Sequence, residues 1–236
     1  MKDILKCLEA ILSRGYSSYT IFNDWLDLMI FALQRDDEHY LEIVRKYKNT
    51  AKFGEREIDY FCQAFACLQI EMKKTNDDIL GQVYMQWNQN NKYHGQFFTP
   101  KHIASFMATV IEPKGKILDP ACGSGIMLIE ALKTMDNEKL DEAMFFGQDI
   151  DLTCVKMCAL NLMFFNVNGF VVWGDSLSLE CRKVYETERS YLGGSIRELT
   201  DTELEHFKSI YIPSVKKLIE AKPILETINS EQLSFF

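Results

Sequence analysis

Apolar positions recur every three or four residues from Met1 to about Asn90, the period of an α-helix. Ile4, Leu8, Ile11 and Leu12 share one face of a first helix that Gly15 ends, and the pattern repeats over residues 21–33, 38–47, 57–74 and 77–87. Beyond residue 90 the rhythm changes. Short apolar runs now end in an acid and alternate with helical stretches: a strand at Ile117 and Leu118, a helix over 126–132, a strand over 143–151, a helix over 154–165 and a strand over 169–175. Strands alternating with helices predict parallel βα units. The chain therefore divides into a helical N-terminal domain (1–90), a Rossmann-like α/β core with a partial parallel sheet (91–180), and a mainly helical C-terminal segment with a flexible tail (181–236). Residues 88–94 are polar and turn-like and form the hinge between the first two. Gly193-Gly194 marks a turn, Thr200 with Glu203 forms a capping box, and 216–225 reads as a short amphipathic helix.

The aromatic and sulfur side chains of the first domain, Phe22, Trp25, Met29, Phe31, Phe61 and Phe65, are expected in its core rather than on a base-stacking surface. With 236 residues, 47% of them hydrophobic, the chain can bury one good core or two small ones.

The most informative stretch is 114–125, KGKILDPACGSG. A strand runs into an acid and a proline, then into a glycine-rich turn that opens an apolar helix. Gly123 and Gly125 lack a Cβ, so the backbone can adopt crowded conformations and a ligand can approach it closely. The N–H groups and positive end of the following helix favour an anion there, while Asp119 can accept from an ammonium. Donors for an anion beside an acceptor for a cation suit an amino-acid zwitterion better than a pyrophosphate. The dinucleotide fingerprint also requires a third glycine, where Leu128 stands.

Asp119-Pro120-Ala121-Cys122-Gly123-Ser124-Gly125 resembles the S-adenosylmethionine loop of the N6-adenine DNA methyltransferases, in particular the modification subunits of type I restriction systems. Gly95-Gln96-Phe97-Phe98-Thr99-Pro100 is similar to the segment that precedes this loop in the family and covers the methionine end of the cofactor. The resemblance implies that Phe98 supplies an apolar wall, Thr99 a hydroxyl and Pro100 a fixed helix start. Asp149, at the end of the second strand, faces the cofactor ribose; Ile150 then packs on the adenine, and Asp151 begins the next helix. Gly174-Asp175-Ser176 matches the next cofactor motif, with Asp175 accepting from the adenine amino group. An aspartate after a strand is ordinarily an N-cap, but three at successive strand ends point to one pocket. Cys122 needs only to be small and is assigned to packing. The resemblance covers roughly residues 77–176.

It stops at the chemistry. The family holds the adenine amine with Asn or Asp followed by Pro-Pro and an aromatic, and this chain has no adjacent prolines. Its nearest positional equivalent, residues 209–214 (SIYIPS), places Ile212 where an acceptor is needed. The expected function is thus S-adenosylmethionine binding in a DNA adenine-N6 methyltransferase-like protein that needs a partner for activity. The rival is a non-catalytic cofactor-binding protein of a mobile element, associated with DNA or the sliding clamp. Gln232-Leu233-Ser234-Phe235-Phe236 resembles the bacterial sliding-clamp peptide, and a short apolar tail can dock in a preformed groove.

A net charge of -8 provides no global basic field, so DNA contact falls to a local patch or a partner. Lys46, Lys48, Lys52, Lys73 and Lys74 are the weak candidates. The seven cysteines show no C-x-x-C pair and read as reduced thiols, and no apolar run reaches bilayer length. A cytoplasmic protein without metal is expected.

Overall fold

The computed structural model describes residues 1–88 and 98–220, the side chains of 218–220 excepted. Residues 89–97, which include Gly95, Gln96 and Phe97, and residues 221–236, which include the clamp-like tail, lie outside the described residues. Met1–Glu198 forms one compact unit and residues from Leu199 onward a second.

In the first unit the helical period resolves into α1 (Lys2–Leu12), α2 (Ser18–Gln34), α3 (Asp37–Lys46), α4 (Glu57–Thr75), α5 (Ile79–Trp87) and α6 (Lys101–Ile111). α1 packs on α4, with Ile4, Leu8 and Ile11 of the first and Ala64, Leu68 and Met72 of the second buried, and Phe22, Trp25 and Met29 of α2 are buried as well. Phe61 is buried, and Phe31 and Phe65 pack against the core from its margin. Of the six aromatic and sulfur side chains expected in the core, four are thus there, and Phe31 and Phe65 are partly buried at its edge.

The α/β part follows as β1 (Lys116–Asp119), α7 (Ile126–Lys133), α8 (Asn137–Glu142), β2 (Met144–Asp149), α9 (Leu152–Phe164) and β3 (Gly169–Trp173). β1, β2 and β3 are parallel neighbours, in register Asp119 opposite Gly147 and Asp149 opposite Trp173. The sheet then turns antiparallel through β4 (Lys183–Glu188) and β5 (Ser195–Glu198), giving the order β1-β2-β3-β4-β5. This hairpin corrects the reading of 181–198 as part of a mainly helical segment. Thr187 fits the buried side by donating to the Val167 carbonyl at 3.0 Å, and the turn closes where Gly193 takes φ +116°.

The division expected near residue 90 does not separate two compact bodies, and α9 is the reason. Every residue from Thr153 to Met163 is buried, so the helix is apolar nearly all round, as a helix between two layers must be. The sheet covers one side of it, and α2 and α5 cover the other. Its single cation, Lys156, is matched by Asp27 of α2 at 2.6 Å, and Thr153 donates to Asn23 of α2 at 3.1 Å.

In the second unit, α10 (Asp201–Glu220) starts at the expected capping box, where Glu203 accepts from the Thr200 N–H and hydroxyl at 2.9 Å. Residues 209–214 lie inside this helix, with Pro213 in its interior. They are therefore not the strand-end equivalent of the family's acceptor motif.

Candidate cofactor-binding site

The glycine turn sits at the carboxyl end of β1 and is laced to the end of β2. Asp119 accepts from the Ala121 N–H at 3.1 Å, the Cys122 N–H donates to the Gln148 carbonyl at 2.9 Å, and the Gly125 N–H closes the turn on the Cys122 carbonyl at 2.7 Å. Gly123 and Gly125 take φ +53° and +93°, left-handed values that favour glycine. Gly125 has a second reason to lack a side chain, because a Cβ there would meet the Cys158 sulfur at 2.9 Å. The turn then serves as the N-terminal cap of α7.

Asp149 joins the three strand ends. One carboxylate oxygen accepts from the Gly123 N–H at 2.9 Å and the other from the Asp151 N–H at 2.9 Å, while its main-chain carbonyl accepts from Gly174 at 3.0 Å. Buried Gln148 adds amide bonds to the Gly174 and Glu180 carbonyls at 3.3 and 3.1 Å, and the Trp173 indole donates to the Ile150 carbonyl at 3.1 Å. The loops after β1, β2 and β3 are thus tied around one point, at the carboxyl ends of parallel strands where α/β ligands bind. Asp151 caps α9 through the Thr153 N–H at 2.8 Å, as its position predicts.

The residues singled out in the sequence fall around this point. Phe98 leans on the turn, since a Cβ on Gly123 would lie 3.1 Å from its ring, and it stacks on Tyr84 at 5.6 Å between centroids. Thr99 and Pro100 are exposed, with Pro100 at the N-cap of α6. Pro120 and Ala121 face solvent beside the turn, and Ile150 is 63% exposed. Asp175 follows Gly174 and accepts from the Leu177 N–H at 2.9 Å. Burial pushes the Asp119 carboxyl above the usual carboxylate range, with the Asp149 charge adding to it and the Ala121 bond opposing it. The Cys122 thiol is pushed well up by its bond with Cys158 and by burial. Such a thiol is an unreactive packing group.

Sequence reasoning did not single out Tyr84, Gln148, Asp78, Ser124 or Asn161. Asp78 carried a signal as an N-cap ahead of an apolar run, but nothing local indicates what its carboxylate faces. Of the lysine candidates, Lys46 is bonded to Asp24 at 3.0 Å and Lys52 to Glu55 at 3.1 Å, so neither offers an unpaired charge to phosphate. Among the described residues no group of His, Cys, Asp or Glu could hold a metal ion, and no helix is long and apolar enough to cross a membrane.

Three parallel strands with a left-handed glycine turn after the first and acids after the second and third define a Rossmann-like α/β unit. Residues 75–189 match the N-6 DNA Methylase family model. The chain is 25% identical over 143 residues to the type I restriction enzyme MjaIX methylase subunit of Methanocaldococcus jannaschii, a match covering 57% of this chain and 26% of the relative. It is 29% identical over 137 residues to the MpnII methylase subunit of Mycoplasma pneumoniae, covering 53% and 24%. Against the HindI methylase subunit of Haemophilus influenzae it is 33% identical over 93 residues, covering 36% and 21%. The matches span about a quarter of the length of these relatives. The family match supports S-adenosylmethionine as the cofactor of this segment. The residues present fit it: a side-chain-free glycine turn beside Phe98 and carboxylates at the ends of the three parallel strands, Asp119, Asp149 and Asp175.

Proposed function

We propose that this chain is the S-adenosylmethionine-binding part of a DNA adenine-N6 methyltransferase, with the acceptor side supplied by a partner subunit. The observation that carries the reading is Asp149, which ties the β1 turn and the β3 end together through its carboxylate and its carbonyl. Asp119 would hold the amino-acid end of the cofactor through the cofactor's ammonium, Asp149 the ribose hydroxyls, and Ile150 and Asp175 the adenine. Phe98 would exclude water from the methionine side, with Thr99 and Pro100 setting the entry to α6. When bound, the cofactor supplies a sulfonium methyl group.

The acceptor side is the part this chain lacks among its described residues. β1 has no neighbour on its outer edge there, and Phe106, Val110 and Ile111 of the adjoining α6 are exposed. An unpaired edge beside an apolar helix face is suited to further strands, and the reading places the partner's contribution there. DNA reaches the pocket through that partner, consistent with a net charge of -8. The rival, a non-catalytic binding protein, rests on the missing acceptor motif alone and gains nothing from the family match. The clamp peptide gains nothing from it either and stands on residues 232–236 by themselves. The test is transfer of a labelled methyl group to duplex DNA. The chain alone should transfer none and should gain activity with a partner that carries an Asn-Pro-Pro-aromatic motif. Methylation by the chain alone, at an unrelated acceptor, would refute the division of labour.

A further inference from the structure

Behind the glycine turn lies a buried polar cluster that cofactor contact does not account for. Asp78 caps α5 by accepting from the Gly81 N–H at 2.8 Å, and the same oxygen accepts from the Asn161 amide of α9 at 2.8 Å. Its other oxygen takes a short hydrogen bond from the hydroxyl of Ser124, in the middle of the turn. Asn161 completes the ring by donating to the Ser124 carbonyl at 2.8 Å. All three are buried, at 4%, 0% and 1% exposure for Asp78, Asn161 and Ser124. Gly81 has no room for a side chain, since a Cβ would run into both Asp78 and Ser124. The preceding residue, Asp77, accepts from Lys101 at 2.8 Å, so the start of α5 also holds the start of α6, next to Phe98–Pro100.

A buried carboxylate is a poor choice for stability, because apolar residues of similar volume do as well or better. Its value lies in selecting one arrangement of its donors. Here those donors are the turn residue between Gly123 and Gly125 and a side chain of the helix behind it. We propose that Asp78 is a positioning residue which, through Ser124 and Asn161, holds the glycine turn in its cofactor-accepting conformation. The proposal rests on the reading that this turn binds S-adenosylmethionine.

The test is a double-mutant cycle on the whole chain, with Ser124→Ala, Asp78→Asn and the double variant titrated calorimetrically with S-adenosylmethionine, alongside amide exchange at residues 121–125. Each single change should weaken binding about tenfold and speed exchange in the turn, as loss of a buried hydrogen bond to a charged group does. The double variant should be no weaker than the weaker single one, because both cut the same contact. Leu68→Ala in α4 should lower the melting temperature and leave affinity unchanged. Wild-type affinity in Ser124→Ala, or losses that simply multiply in the double variant, overturns the proposal. If Asp78→Asn does not fold, affinity and exchange in Ser124→Ala decide. If the wild type binds no S-adenosylmethionine, the cofactor reading fails. The latch then stands on faster exchange at 121–125 in Ser124→Ala and falls on unchanged exchange.

Discussion

Replacing Gly123 by valine attacks the site at its tightest point. The residue sits at φ +53°, and holding an L-residue in that left-handed region costs about 1–2 kcal/mol. A Cβ would also lie 3.1 and 3.2 Å from two carbons of the Phe98 ring, inside the usual carbon–carbon separation of about 3.5–4.0 Å. The ring has little freedom to retreat, because it stacks on Tyr84. A turn that escapes by leaving the left-handed region gives up the Gly123 bond to Asp149. A penalty of about 2 kcal/mol corresponds to roughly 30-fold in Kd. Calorimetric titration with S-adenosylmethionine, with a thermal melt to confirm folding, reads this directly. Adding Phe98→Ala to Gly123→Val removes the ring contact but not the backbone strain, so it should not restore wild-type affinity. Binding by Gly123→Val within threefold of wild type would falsify the claim that the ligand lies against this glycine.

Asp149→Ala removes the acceptor for the Gly123 and Asp151 N–H groups, and affinity should fall at least tenfold; unchanged titration would remove Asp149 from the site. Asp119 is an acid whose folded-state pKa is raised, so the folded chain keeps its proton to higher pH than the unfolded chain, and stability falls as pH rises through that window. Asp119→Asn should therefore melt above wild type at pH 7, the difference vanishing as pH drops below the ordinary carboxylate value, while cofactor affinity declines. A variant less stable than wild type at pH 7 contradicts this. Leu160→Ala, fully buried in α9, should cost about 2–5 kcal/mol and lower one shared transition by circular dichroism and tryptophan fluorescence. Two separated transitions would mean that the helices and the sheet are independent. Capture of purified sliding clamp that survives deletion of residues 232–236 would dismiss the tail peptide.

Most elements of this fold are legible because their signals are local. Helical spacing marks α1 to α5 to within a few residues, and the turn after β1 announces itself through Asp119, Gly123 and Gly125. Asp149 is legible from its place at a strand end and Asp175 from the family motif Gly174-Asp175-Ser176, and the backbone brings the two ends together where the Gly174 N–H donates to the Asp149 carbonyl. The β4–β5 hairpin was missed because its strands are short and Val184 and Tyr185 are buried in succession, which hides the alternation. Its register comes from pairing with β3, and no pattern within 181–198 encodes that. The cluster of Asp78, Ser124 and Asn161 spans 83 residues of sequence. Its members look like a helix cap, a small turn residue and a polar helix position until α5 and α9 pack against the same turn. The wedge role of α9 was equally hidden, since an apolar run does not say what covers its second side.

Calorimetric titration of the purified chain with S-adenosylmethionine, with the nicotinamide dinucleotide as control, tests the account most directly. The site around Asp149 predicts micromolar binding of the first, on the order of -8 kcal/mol, and none of the second. No heat with S-adenosylmethionine, or equal binding of the dinucleotide, would contradict it.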